Sequence, residues 1–267
     1  RDPLTTMAGR AAILLCGGKG SRMQDGGVTT HKPLLEVGGM PSTRFIAERL
    51  LSGDFDFSQL VLVIPPTREA EYEAAMSGIN CVLVVQPVAL GTANAVLHAL
   101  DHLLSPIDQI YLSFGTQPMI TNATVAATLE HHLANGLDFT LATTIMDDPY
   151  APLLRDGEGN VCGSVETHLE KTVVPSHGET NIGAYWVSRE LLEVGLRSLH
   201  ERMFDSELGR YQTSSGELGF PNEMVRVCVA EGLGVDGVPC AEPVEILGLK
   251  TPETLATIRS LVDEQIE

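Results

Sequence analysis

The stretch of residues 11–33 constrains the fold of this chain more than any other. Residues 11–16 form an apolar run whose length suits a buried strand, and Gly17, Gly18 and Gly20 follow at once. Glycine tolerates a positive φ and lets the backbone approach a ligand closely. A run of exposed N–H groups in such a loop can surround phosphate oxygens. The pattern predicts a strand followed by a phosphate-binding loop, although an ordinary tight turn between a strand and a helix would need glycines as well.

Two cations, Arg22 and Lys32, follow these glycines in the same stretch. The fork of an arginine suits contact with two phosphate oxygens, and a lysine acts as a movable point charge. The two cations together with the glycines favour the phosphate-binding interpretation over the simple turn.

Composition excludes several classes of protein. The 267 residues carry a net charge of −18, with a pI near 4.7, which argues against a nucleic-acid scaffold or a surface for anionic membranes. The five cysteines are far apart and form no C-x-x-C pair, which is typical of reduced core residues in a cytoplasmic protein. No apolar run approaches the roughly 18 residues of a membrane span.

Strand and helix patterns alternate along the chain, so we expect an α/β fold with a mostly parallel sheet and helices on both faces. In such a sheet ligands bind at the carboxyl ends of the strands, where the glycine loop, Gln86 and Gly115 would lie. The predicted strands are 11–16, 60–64, 82–86, 110–114, 139–144, 150–155, 161–166, 182–187, 235–238 and 244–247. The predicted helices are 41–51, 67–76, 90–104, 121–133, 189–202, 221–230 and 252–266, and polar or Gly/Ser-rich segments cover 167–180 and 204–219.

The motifs GGKGSRM (17–23) and KPLLEVGG (32–39) resemble the signature of sugar-1-phosphate nucleotidylyltransferases, in particular the uridylyltransferases of N-acetylglucosamine 1-phosphate. The resemblance implies a Rossmann-like three-layer α/β/α nucleotide-diphospho-sugar transferase fold with a mostly parallel mixed sheet. It implies one domain over residues 1–267, with a nucleotide-binding half at about 11–146, an acceptor-binding subregion at about 147–242, and a closing strand and helix at 243–267. It also implies that Arg22 and Lys32 are catalytic residues, which hold the triphosphate and the charge that develops during the reaction. The nucleotide contacts that it implies in the first half are Leu15, Gly17, Gly18, Gly20, Ser21 and Gly115.

A second motif, VVQPVALGTANAV (84–96), resembles the base-binding segment of the same family. The resemblance assigns Gln86, Gly91 and Thr92 to the nucleobase. A glutamine amide can read the edge of uracil, which shows one donor and two acceptors. We therefore expect a pyrimidine, with uracil or thymine ahead of cytosine.

The second half of the chain resembles the acceptor side of the family. The family pattern implies that Glu166, Lys171, Asn181 and Gly183 contact the sugar phosphate, with Lys171 matching only if a small insertion is allowed. Ala151 and Pro152 replace the glycine and arginine of the pattern. These two changes keep a different acceptor, such as a phosphonate, an alcohol phosphate or a pterin phosphate, open.

Both positions where the family has a protein ligand of Mg²⁺ are changed. The family's aspartate is Thr116 here, and its asparagine is Lys250. A threonine hydroxyl is a poor magnesium ligand and an ammonium has no lone pair to give. We expect no metal ligand from the protein, Mg²⁺ arriving as the NTP complex, and a catalytic Lys250 whose charge acts on a phosphate.

The implied reaction joins an NTP to a sugar 1-phosphate and gives an NDP-sugar and pyrophosphate. The partners would be the NTP and a small phosphorylated acceptor, with no nucleic acid or membrane and with a possible homo-oligomer. A catalytically inactive homologue that binds nucleotide and regulates a partner is the alternative that the altered metal positions leave open. Outside these motifs, His131 and His132 are expected on the solvated face of a helix.

Overall fold

The computed structural model describes residues 9–18, 30–165 and 175–266, with side chains to residue 264. Five of the predicted site residues lie outside these ranges: Gly20, Ser21, Arg22, Glu166 and Lys171. The strands in chain order are β1 (Gly9–Leu15), β2 (Glu36–Val37), β3 (Met40–Pro41), β4 (Phe57–Ile64), β5 (Val82–Val85), β6 (Ile107–Phe114), β7 (Phe139–Asp147), β8 (Leu153–Arg155), β9 (Val161–Ser164), β10 (His177–Ser188), β11 (Phe204–Asp205), β12 (Arg210–Tyr211) and β13 (Val235–Val238).

Seven of these strands form one mixed sheet in the order β13-β7-β10-β6-β1-β4-β5. Within it, β10 alone runs antiparallel to its neighbours, and the other pairs are parallel. Strand β1 is central and almost wholly apolar and buried, as a strand covered on both faces must be. The carboxyl ends of the parallel strands and the first half of β10 therefore meet at one edge of the sheet.

Helices cover both faces of the sheet. They are α1 (Ser42–Ser52), α2 (Glu69–Ala75), α3 (Thr92–Leu100), α4 (Asn122–Ala134), α5 (Arg197–Met203) after a π-helical stretch Leu191–Leu196, α6 (Phe220–Glu231) and α7 (Pro252–Ile266). One core cluster packs α3 and α6 against the sheet, a second packs α1, α2 and α4 against the other face, and a third lies under α7. The expected three-layer fold with a mostly parallel mixed sheet is confirmed. Among the described residues, none of the helices combines the length and apolar character needed to cross a membrane.

The predicted closing strand at 244–247 is wrong, because this stretch is a 3-10 helix, Pro243–Ile246. Pro243 has no N–H for a strand ladder, and Glu242 and Glu245 form a capping box instead. The buried Glu245 carboxylate also accepts hydrogen bonds from the Thr121 N–H at 2.7 Å and the Thr124 hydroxyl at 2.9 Å. Glu245 thereby closes the start of α4, where a negative charge is favoured by the helix dipole.

Part of the predicted polar loop is a strand. Strand β10 begins at His177, which pairs with Asp147 of β7. Glu179 of this strand is buried and paired with the Arg155 guanidinium at 2.7 Å. In the sequence alone, a charged residue such as Glu179 is typical of an exposed loop, and its burial depends on the ion pair with Arg155. The prediction of a polar loop through residue 180 was wrong for this reason.

The two neighbouring histidines of α4 do not share an environment. His132 is 1% exposed rather than solvated, and its ring nitrogens lie 2.8 Å from the Thr140 hydroxyl and 2.8 Å from the Gln109 amide oxygen. Burial lowers the pKa of His132 to about 4. His131 remains partly exposed, beside Asp236 at 2.8 Å.

Candidate active site

A cleft of about 430 Å³ lies at the edge of the sheet where β6 ends and β10 begins. Residues from these strands meet the first turns of α3 and α6 and the loop before α7. Its lining residues are Thr92, Phe114, Thr116, Gln117, Tyr150, Ala151, Asn181, Gly183, Tyr185, Pro221, Gly248 and Lys250. Six of the residues singled out from the sequence, which are far apart along the chain, share this cleft: Thr92, Thr116, Ala151, Asn181, Gly183 and Lys250.

Lys250 gives this cleft its charge. Among the described residues that line it, Lys250 is the single charged side chain and there is no carboxylate. The Lys250 ammonium lies 4.4 Å from the centre of the Tyr150 ring, a cation–π contact that holds the side chain over the cleft wall. In a protein of net charge −18, a cleft whose described wall carries one cation suits an anion.

The two altered metal positions are neighbours in space. The Leu249 N–H donates to the Thr116 carbonyl at 2.9 Å, which places Lys250 beside the end of β6. The described residues contain no group of three His, Cys, Asp or Glu side chains arranged to hold a metal. A hydroxyl and an ammonium do not make a magnesium site. The described residues therefore do not fit an Mg²⁺ ion held by the protein.

Asn181 presents an amide donor to the cleft. Its side-chain oxygen accepts from the Gly183 N–H at 2.8 Å and from the Tyr185 hydroxyl at 2.7 Å. The register of β10 against β7 is irregular between Asn181 and Tyr185, and Gly183 has φ +89° there. This bulge turns the Asn181 amide so that its oxygen is used inside the protein. The NH₂ group makes no hydrogen bond with the described residues and remains for a ligand oxygen.

Gln117 is a site residue that the sequence motifs did not indicate. Its amide nitrogen donates to the Ile182 carbonyl at 2.7 Å, and its oxygen is buried without a hydrogen-bond partner among the described residues. That oxygen lies so close to Gly183 that a Cβ there would collide with it. Position 183 therefore requires glycine for two reasons, its positive φ and the close approach of the Gln117 side chain. In the sequence, the one indication of Gln117 was its position next to Thr116.

The described part of the glycine loop follows β1. The Leu15 side chain is buried, and its carbonyl accepts from the Gly115 N–H at 2.9 Å. Gly18 has φ +108° and no atom near the place of a Cβ. A Cβ on Gly17 would lie 3.4 Å from the Gln86 side-chain oxygen. The loop thus begins beside the predicted base-binding residue.

Gly115 joins three segments at this edge of the sheet. A Cβ there would lie 2.8 Å from the Cys16 sulfur and 3.1 Å from the Pro33 side chain, and its carbonyl accepts from the Ser42 hydroxyl at 2.8 Å. The structure thus gives Gly115 a packing role. Pro33 follows Lys32 in a 3-10 helix, Lys32–Leu34, so the lysine lies near this junction but not in the lining of the cleft.

His31 contacts α2 through the side chain of Tyr72. Its Nδ1 lies 3.0 Å from the Tyr72 hydroxyl, and that hydroxyl donates to the Cys16 carbonyl at 3.4 Å. Burial, with the nearby Arg68 charge, lowers the pKa of His31 to about 4. The ring is therefore neutral at pH 7, and its contact with Tyr72 joins His31 to α2.

The Gly91-Thr92 pair is fixed by the segment before α6. Gly91 has φ +96°, and a Cβ there would collide with the Leu218 backbone. The Thr92 hydroxyl accepts from the Phe220 N–H at 2.7 Å, which closes the start of α6. The hydroxyl proton stays available to a ligand in the cleft.

Known proteins resemble this chain in sequence and in fold. A family model described as MobA-like NTP transferase domain matches residues 12–199. A bifunctional protein GlmU from Desulfotalea psychrophila is 28% identical over 261 residues, covering 96% of this chain and 70% of that protein. A bifunctional protein GlmU from Geobacillus thermodenitrificans is 26% identical, covering 97% of this chain and 53% of that protein, so the chain spans only about half of such a relative.

Solved structures of similar fold are more distant in sequence. A putative glucose-1-phosphate thymidylyltransferase from Bacillus anthracis superimposes with a TM-score of 0.71 at 16% identity, over 95% of each chain. A 4-diphosphocytidyl-2C-methyl-D-erythritol synthase from Anaerococcus prevotii superimposes with a TM-score of 0.63 at 11% identity, over 96% of each chain. At these identities the likeness concerns the fold alone.

Proposed function

Because the chain belongs to the MobA-like NTP transferase domain family and is a nucleotidyltransferase, we propose that it joins UTP or dTTP to a sugar 1-phosphate. The products are an NDP-sugar and pyrophosphate. The observation that carries the proposal is the cleft at the carboxyl edge of the sheet, whose described wall offers Lys250 and the Asn181 amide and no carboxylate. The name of the glucose-1-phosphate thymidylyltransferase of similar fold agrees with this class of reaction.

In this proposal the nucleotide binds on the side of the glycine loop. Gly17 and Gly18 approach the phosphates with their backbone, since neither has a side chain to block it. Gln86 contacts the base from behind Gly17, with Gly91 beside it. Lys32 reaches the triphosphate from the junction beside Pro33. Arg22, Gly20 and Ser21 complete this set as predictions from the sequence.

The acceptor binds in the cleft. Lys250 contacts its phosphate or the α-phosphate, and the Asn181 amide donates to a sugar hydroxyl. An oxygen of the acceptor phosphate attacks the α-phosphorus in line, a P–O bond forms, and the bond to the leaving pyrophosphate breaks. The protein contributes positioning and charge already in place, which need no reorganisation during the reaction. Glu166 and Lys171 remain predicted acceptor contacts.

Nucleotidyltransferases of this family generally use Mg²⁺. The described residues do not fit an ion held by the protein, so the proposal assigns Mg²⁺ to the NTP itself. Magnesium loses its water reluctantly and is commonly held by phosphates and water. The proposal also keeps the sequence-based predictions of one domain, a cytoplasmic location and a possible homo-oligomer.

A second candidate keeps nucleotidyl transfer but changes the acceptor. Ala151, which replaces a glycine of the family pattern, is 3% exposed and lines the cleft, and its N–H donates to the Thr180 hydroxyl oxygen at 3.1 Å. A side chain at this place narrows the space for the acceptor. A phosphonate or a non-sugar phosphate is therefore the alternative to a sugar 1-phosphate.

The test is pyrophosphate release with five nucleotides, UTP, dTTP, CTP, GTP and ATP, against a panel of sugar 1-phosphates, sugar 6-phosphates and alkyl phosphonates. Mass spectrometry identifies the second product. The proposal expects UTP or dTTP with a sugar 1-phosphate to give stoichiometric pyrophosphate and NDP-sugar. Turnover only with non-sugar acceptors would select the second candidate. Binding of nucleotide with no turnover across the panel would identify an inactive homologue and overturn the proposal.

A further inference from the structure

A chain of buried hydrogen bonds lies behind Gln86 and leads away from the cleft. The Gln86 amide nitrogen donates to the Asn94 side-chain oxygen at 2.8 Å. The Asn94 amide nitrogen donates to the Tyr211 hydroxyl at 3.2 Å, and that hydroxyl lies 2.8 Å from Nδ1 of His200. Gln86, Asn94 and Tyr211 are 6%, 7% and 1% exposed, so water does not compete for these groups.

These hydrogen bonds determine which end of the Gln86 amide is left for a ligand. Its nitrogen also donates to the Gly91 carbonyl at 3.1 Å, so that both N–H bonds are used inside the protein. Its oxygen accepts no hydrogen bond from the described residues and faces Gly17 at the start of the glycine loop. A glutamine in this state offers a ligand an acceptor and nothing else.

Rotation of the amide by half a turn is opposed from two sides. The Gly91 carbonyl can only accept a hydrogen bond, and an amide oxygen turned toward it would meet another acceptor. Asn94 could offer its NH₂ to a turned Gln86 only by turning itself, so that the Tyr211 hydroxyl donates to Asn94 and His200 Nδ1 donates to that hydroxyl. A turned amide would also lose its bond to the Gly91 carbonyl and place its oxygen 3.1 Å from that oxygen inside the protein, which is unfavourable.

We propose that Asn94, held by Tyr211, is a positioning residue that fixes the Gln86 oxygen toward the nucleotide, so that the base must present a hydrogen-bond donor at the ring atom N3. This inference rests on the proposed function and narrows it. Uracil and thymine present a donor at N3, whereas cytosine has an acceptor at that atom and carries its donor at the exocyclic N4. The sequence suggested that Gln86 reads donors and acceptors alike; the hydrogen-bond chain restricts it to a donor on the base.

The ligand arm of the test measures binding of UTP, N3-methyl-UTP and CTP by isothermal titration calorimetry to the whole protein. N3-methyl-UTP replaces the donor by a methyl group, and CTP replaces it by an acceptor. The expected result is at least tenfold weaker binding of both than of UTP, because a buried polar group of the protein is then left unpaired. Equal binding of N3-methyl-UTP and UTP would overturn the inference while leaving nucleotidyl transfer untouched.

The protein arm uses Asn94→Leu, Asn94→Asp and Tyr211→Phe. Leucine removes the acceptor that holds Gln86, and the expected result is a three- to tenfold fall in the ratio of kcat/KM for UTP over CTP. Aspartate keeps an acceptor for the Gln86 N–H and takes the Tyr211 hydroxyl proton, so the ratio should stay within about twofold. Tyr211→Phe frees Asn94 to turn and should lower the ratio as Asn94→Leu does, to a smaller extent.

The ratio of kcat/KM for UTP over CTP distinguishes a positioning role of Asn94 from a role in stability alone. A residue that only stabilises the structure lowers turnover of UTP and CTP together and leaves their ratio unchanged. An unchanged ratio in Asn94→Leu and Tyr211→Phe would therefore refute the positioning role. If Asn94→Leu does not fold, Tyr211→Phe and the N3-methyl-UTP measurement decide. A protein that binds none of these nucleotides contradicts both this inference and the proposed function.

Discussion

Replacing Lys250 by methionine removes the one charge that the described wall of the cleft carries, while keeping the length of the side chain. If the ammonium contacts a phosphate in the transition state, the loss equals one charge-assisted hydrogen bond, about 1.5–3 kcal/mol. At 1.36 kcal/mol for each factor of ten, kcat should fall by roughly 10- to 150-fold. Melting temperature should change little, because Lys250 is only half-buried and its contact with Tyr150 contributes about 0.5–1 kcal/mol.

The assay is pyrophosphate release at saturating NTP and acceptor, with two matched controls. Arg226→Met makes the same change of net charge on α6, where the Arg226 side chain is 48% exposed and does not line the cleft. Tyr150→Leu removes the ring beneath the ammonium but keeps the charge, and should cost less than Lys250→Met. If Lys250→Met loses no more activity than Arg226→Met, the ammonium does not act on the reacting phosphates.

A double change tests the charge argument from the opposite direction. Thr116→Asp with Lys250→Asn lowers the charge of the site by two, the formal charge of Mg²⁺, and supplies a carboxylate and an amide oxygen. These are ligands that magnesium accepts. We expect the double variant to require Mg²⁺ at lower concentration than the unaltered protein, measured as the activity against free Mg²⁺ at fixed NTP. The same magnesium dependence in both proteins would contradict a role of Lys250 in place of a ligated ion.

Three further predictions concern other parts of the structure. Lys32→Ala should lower kcat by about tenfold or more with little change of the NTP KM, and a raised KM at unchanged kcat would refute a transition-state role. Gly183→Ala should lower the free energy of unfolding in urea by about 1–3 kcal/mol more than Gly159→Ala, because both have a positive φ but only Gly183 lies against Gln117. His132 has a pKa of about 4 in the folded protein and about 6.5 when unfolded, so the unfolded chain binds more protons between these values. The free energy of unfolding should therefore fall as the pH is lowered from 6.5 to 4, by at most about 3 kcal/mol from this group, and His132→Gln should reduce that slope.

The sequence predicted the sheet because its parallel strands are short, apolar and separated by helical patterns. Strand β1, whose residues from Ala11 to Leu15 are all buried, illustrates this. The same alternation of strands and helices predicted that a ligand would bind at the carboxyl ends of the strands, where the cleft lies. The reversed strand β10 could not be oriented in this way, because direction depends on pairing with β6 and β7 rather than on the residues of β10 alone.

The polarity of the site could not be predicted from the motifs. A glutamine and an asparagine each offer both a donor and an acceptor. Gln86 presents its oxygen because its nitrogen donates to Asn94, which in turn donates to the distant Tyr211 hydroxyl. Asn181 presents its nitrogen because its oxygen accepts from the Gly183 N–H at the bulge. These assignments depend on contacts between residues more than a hundred positions apart in one case and on local backbone geometry in the other.

The segment 204–219 shows the same limit. Its glycines and serines predict an irregular segment, yet Phe204–Asp205 and Arg210–Tyr211 pair as a hairpin. Tyr211 and Leu218 are buried, and the Leu218 backbone bonds to Leu90 and Ala93 beside the predicted base-binding pair. Composition describes the exposed residues of this segment, whereas two buried side chains decide its position.

The most direct test of the account is a single reaction mixture of UTP, N-acetylglucosamine 1-phosphate, glucose 1-phosphate and Mg²⁺, analysed for products by mass spectrometry with the unaltered protein and with Lys250→Met. The account predicts a UDP-sugar and pyrophosphate in equal amounts from the unaltered protein, and at least tenfold less of both from Lys250→Met. The formation of pyrophosphate without any UDP-sugar, or a UDP-sugar formed equally well by both proteins, would contradict it.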